Sequence, residues 1–159
     1  MNGTSNTVRY DENSPAVQAH LQIMQSVIQR MASNSASCKA WCIALVSAIL
    51  VIVTEKSNPQ YAFVAVIPVL LFLVLDIYYL SLEKTFRELY NSFINKLHEG
   101  KIVAPDLYAV SPSGIKLGVF WASFKSFSIW PFYLTLLAMT FVVVYCILSA
   151  ATGSAKVIP

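Results

Sequence analysis

Three runs of apolar residues, each near the length of a bilayer crossing, constrain this chain more than any other feature. They are AWCIALVSAILVIVT (40–54), the stretch 61–80 and the stretch 129–150. A hydrocarbon layer about 30 Å thick needs roughly 20 helical residues, and a spanning helix satisfies its own backbone polar groups. The first run is short unless residues 36–39 extend it. Pro68 lies inside the second run, and Pro131 lies in the opening turn of the third, where a missing N–H is tolerated. Composition agrees. Hydrophobic residues make up 57% and charged residues only 12%, with mean hydropathy +0.61. A water-soluble fold would have too little polar surface to cover its core. Disorder and collagen-like repeats fit these values poorly, and a net charge of +3 is too small to draw nucleic acid.

The basic residues are distributed unevenly. Arg9, Arg30 and Lys39 precede the first run, and Lys84, Arg87, Lys96, Lys101, Lys116 and Lys125 lie between the second and third. Only Lys56 sits between the first two runs, and only Lys156 follows the third. The positive-inside rule then places the N-terminus and the long middle segment in the cytoplasm and the C-terminus outside. The opening MNGTSNTVRYDE has no apolar core, so no cleavable signal peptide is expected.

The expected fold is an all-α polytopic membrane protein. A disordered cytoplasmic N-terminus (1–14) leads to a cytoplasmic amphipathic helix (15–39), the first span (40–54), an external turn (55–60) and the second span (61–80). A cytoplasmic helical extension (81–99) follows, then a cytoplasmic loop with an interfacial helix (100–128), the third span (129–150) and an external tail (151–159). After Ser14 and Pro15, apolar residues fall at Val17, Leu21, Met24, Ile28 and Met31, alternating four and three as in a coiled-coil seam. With only Arg30 basic in this stretch, packing against protein is favoured over lying on lipid. No Pro or Gly separates this helix from the first span. Beyond the second span, Leu82, Phe86, Leu89, Tyr90, Phe93 and Leu97 keep helical spacing up to Gly100. That predicts one helix projecting roughly 25–30 Å past the bilayer. In IKLGVFWASFKSF, Leu117, Phe120, Trp121 and Phe124 share a face between Lys116 and Lys125, the pattern of an interfacial helix.

Catalytic chemistry is not visible. There is no phosphate-binding glycine loop, hydrolase elbow or metal-ligand spacing, so neither a cofactor nor a metal is expected, and the chain does not read as an enzyme. His20 and His98 are solitary, and Arg87 and His98 are too far apart for an Arg-x4-6-His nuclease pair. Cys38, Cys42 and Cys146 make no disulfide framework and read as reduced packing residues.

Asp76 requires explanation, because a carboxylate inside a span is expensive and seldom faces lipid. A tight hairpin between the first two spans pairs residues whose numbers sum to about 115, since both helices rise 1.5 Å per residue. Asp76 then faces Lys39 or the polar group Asn34, Ser35 and Ser37, which would relieve its burial. Glu83 and Arg87 are expected to extend a polar seam towards Arg30. A carboxylate lining a pore is the competing reading.

Certain words carry a resemblance. They are Arg30-Met31-Ala32-x-Asn34-Ser35, Lys39-x-Trp41, Asp76-x-Tyr78-Tyr79-Leu80 with Phe86-Arg87-x-Leu89-Tyr90 after it, and a third span opening SIWPFYL. Together they resemble the RipA family of small bacterial inner-membrane proteins, described as octameric. The resemblance covers about residues 17–95 and, more loosely, the third span. It implies an inner-membrane address and an octameric ring, and it brings no active site. The expected function is therefore a homo-oligomeric pore, channel or membrane effector with a cytoplasmic helical collar. Its partners are membrane lipids and further copies of the chain. The alternative is a non-conducting scaffold or sensor that binds a cytoplasmic protein.

Overall fold

The computed structural model describes residues 10–56, 63–112 and 114–155, with 56 and 150–155 described by backbone alone. The expected disorder of residues 1–9, most of the turn at 57–60 and the last residues of the tail lie outside them. Four helices make up the described chain: α1 (Pro15–Lys56), α2 (Val66–His98), α3 (Leu117–Phe124) and α4 (Trp130–Ala155). Among the described residues there is no strand. α1, α2 and α4 are each long and apolar enough to cross a membrane.

α1 is unbroken over 42 residues, about 63 Å of helix. The amphipathic segment and the first apolar run are one element because nothing between them interrupts the backbone ladder. α2 likewise continues from its apolar run to His98, where Gly100, at φ 65, ends it in a left-handed turn. α2 begins later than position 61. A 3₁₀ turn covers 63–65 and the α-helix starts at Val66, because Pro68 cannot donate an N–H and is accommodated in a first turn. α4 runs five residues past the expected end of the third span, into the segment read as tail.

α1 and α2 form an antiparallel hairpin. Contacts at Gln25–Tyr90, Lys39–Asp76 and Cys42–Pro68 fix its register. α4 packs on both helices at one end of this hairpin, and α3 packs on α2. There the core is Cys42, Val46, Val69, Ile77, Ile129 and Tyr133. At the other end α1 and α2 continue as a two-helix arm with a separate core: Val17, Met24, Phe93, Leu97, Ile102 and Leu107.

The segment after α2 closes this second core, so it is packed against the arm rather than a free loop. Its short 3₁₀ helix (Ala104–Asp106) is fixed by Lys96 Nζ, 2.9 Å from Asp106 Oδ1. The backbone N–H of Tyr108 donates to His20 Nδ1 at 3.0 Å. Tyr10 also packs on this core, so the end of the segment read as disordered tail is ordered from there. The heptad positions Val17, Met24 and Met31 are buried inside the chain, and Leu21 and Ile28 are half-buried. The seam of α1 is thus largely occupied by α2 and the docked segment.

Candidate functional site

The two cores are separated by a polar junction, and Asp76 is at its centre. α2 presents this carboxylate towards α1 and α4, where it has no exposure at all. From α1, the Ser35 hydroxyl donates to Asp76 Oδ1, and Lys39 Nζ lies 2.5 Å from Oδ2. Ser35 and Lys39 are one turn apart on α1, so both reach the same carboxylate. Lys39 Nζ also donates to Ser35 Oγ at 3.4 Å. The Lys39 side chain keeps 19% of its surface exposed, whereas the Asp76 side chain keeps none. α4 contributes Tyr133, whose buried hydroxyl lies beside the Asp76 carboxylate and has no hydrogen bond of regular geometry.

Burying this carboxylate alone would be prohibitive. Its pairing with a cation and a hydroxyl makes the burial tolerable, and removing either partner leaves the other uncompensated. Within the single chain Asp76 therefore faces a sealed contact of three helices. It does not line an open polar passage.

The rest of the expected seam is arranged differently. Arg87 pairs with Glu83 on its own helix, Nε to Oε1 at 2.8 Å. Arg30 is exposed and, among the described residues, has no ion-pair partner. An i,i+4 partner needs no neighbouring helix, so Glu83 and Arg87 satisfy each other and the seam stops short of Arg30. Asn34 is half-buried and Ser37 exposed, and neither bonds Asp76. Arg87 instead lines an open groove of about 410 Å³ between the arm helices, together with Gln25, Ile28, Gln29, Tyr90 and Asn91.

One feature escaped the reading by hydropathy. Ala36, Ala40, Ala44 and Ala48 recur every fourth residue on α1 and are all exposed. At 100° per residue they lie roughly opposite Cys38, Cys42 and Val46, which face α2 and α4. The four-residue spacing of small side chains was the available signal. α3 adds a second uncovered surface: Leu117, Trp121 (52% exposed) and Phe127 (87% exposed) lie between and beside the exposed Lys116 and Lys125. It is tied to α2 by Lys84 Nζ, which donates to Ala122 O at 3.1 Å near the C-terminal end of α3, where a cation is favoured by the helix dipole. No protein-family model, curated protein or solved structure gives a significant match to this chain.

Proposed function

We propose that this protein is a subunit of a homo-oligomeric assembly in the bacterial inner membrane, without catalytic chemistry of its own. Its α1–α2 arms form a cytoplasmic collar. The observation that carries this reading is the uncovered face of Ala36, Ala40, Ala44 and Ala48, opposite the side of α1 that its own chain buries. In a bilayer, apolar surface alone does not drive helices together, whereas rows of small residues let backbones approach closely. A second copy is the neighbour such a face suits; a ring results where the face meets a different surface of that copy, and a dimer where it meets the same face. The octamer implied by the resemblance to the RipA family is the stoichiometry to expect. The exposed Leu117, Trp121 and Lys125 suit α3 to the inner membrane interface.

The closed Asp76 contact favours an assembly whose function does not depend on that carboxylate lining a pore. The open groove beside Arg87 favours a second reading, in which the arm receives a cytoplasmic protein partner. Purified protein in mild detergent should run as one defined oligomer larger than a dimer. Ala40→Leu with Ala44→Leu should shift it to smaller species by mass photometry. Monomers in the unmodified protein would overturn the reading. Dye release from liposomes separates a conducting ring from a scaffold.

A further inference from the structure

We propose that His20 is a pH-operated latch: its neutral imidazole holds the segment 101–110 over the arm, and protonation of the ring releases that segment. His20 is 1% exposed, on α1, facing α2 and the docked segment. Its Nδ1 accepts the Tyr108 backbone N–H at 3.0 Å, and its ring packs on Phe93 with centroids 4.3 Å apart. An imidazole nitrogen accepts a hydrogen bond only while it carries no proton. Protonating Nδ1 sets two N–H groups against each other in a buried contact and leaves both without an acceptor. Tyr108 reinforces the effect, because it sits in the left-handed region at φ 63, which an aromatic residue occupies only when its surroundings hold it there.

Two charged groups line the cavity about His20, Lys96 from α2 and Asp106 from the docked segment, while α1 adds only Met24. Lys96 and Asp106 pair with each other. Burial pushes the His20 pKa below its ordinary 6.5, and the nearby Asp106 carboxylate only partly opposes that shift. With the segment released, the imidazole regains its ordinary pKa, so the released state binds more protons. Docking is then at full strength above about pH 6.5 and weakens as pH falls from there through the lowered docked value. Asp106 is itself held below its ordinary 3.8 by the Lys96 ammonium and the Val103 N–H, so its pair persists across the range in which His20 titrates. Release uncovers Val17, Met24, Phe93 and Leu97, over which Ile102 and Leu107 are seated.

The test is hydrogen–deuterium exchange of the full chain in nanodiscs at about pH 7.5 and about pH 5.5. Exchange times are scaled for the intrinsic pH dependence, and the middle of α2 serves as internal reference. Protection of the 101–110 segment should fall about tenfold at the lower pH. His20→Asn, whose side-chain Oδ1 falls where Nδ1 does and can accept the same N–H without titrating, should show equal protection at both. Unchanged protection in the unmodified chain overturns the proposal, and so does an unabated loss in His20→Asn. Should that variant fail to fold, NMR titration of His20 in a His98→Gln background decides. A midpoint below 6.5 supports the latch, and one at or above 6.5 overturns it.

Discussion

Asp76 shows how a single buried charge is made compatible with the nearly all-apolar first half of α2. Its carboxylate is balanced by one ammonium and one hydroxyl, both from α1. Asp76→Asn would leave the Lys39 ammonium at this junction without its counter-charge. We expect a loss of about 3 kcal/mol in thermal unfolding in detergent. Asp106→Asn, which removes a pair open to water, should lose about 1 kcal/mol or less. Lys39→Met should resemble Asp76→Asn, and the double variant should lose less than the sum, because two substitutions at one contact are not additive. A double variant whose loss equals the sum would show that the two side chains act independently.

At the scale of elements, the arm is held by side chains inside one chain. Met24→Ala opens a cavity among Val17, Phe93 and Leu97 and should lower stability by about 2–4 kcal/mol. Subunit number by native mass spectrometry should stay unchanged, and a fall in it would place this seam at the subunit interface. Much of this architecture was legible in the residue pattern. The absence of breakers joins each apolar run to its amphipathic extension, and the hairpin sum pairs Asp76 with Lys39. Three things were not legible. Pro68 moves the start of α2, because a missing donor is accommodated only at a helix beginning. Arg87 finds Glu83 one turn away, so no inter-helix seam reaches Arg30. The docking of 101–110 depends on a left-handed Tyr108 and a backbone N–H, neither of which leaves a periodic trace. The alanine row was present in the spacing, but hydropathy alone does not distinguish a small apolar residue facing lipid from one facing another helix.

For the whole molecule, the distribution of basic residues sets the expected orientation. Ser111→Cys should react with a membrane-impermeant maleimide only from the cytoplasmic side, and Lys56→Cys only from the external side, in a background lacking the native cysteines. Opposite labelling would invert the assembly described above. The unbroken course of α1 has a mechanical consequence. Lys39 divides the helix into roughly 36 Å towards Pro15 and 25 Å towards Lys56. With its side chain clamped to Asp76, that point behaves as a fulcrum and α1 as a stiff lever. A sideways push of about 3 Å at the Pro15 end would swing the far end by about 2 Å the other way, in proportion to those two lengths. Such a swing must shift α1 against α2 in both cores, at Val17 and Met24 on one side of Lys39 and at Cys42 and Val46 on the other, so force applied to the arm reaches the opposite end of the hairpin only by repacking them.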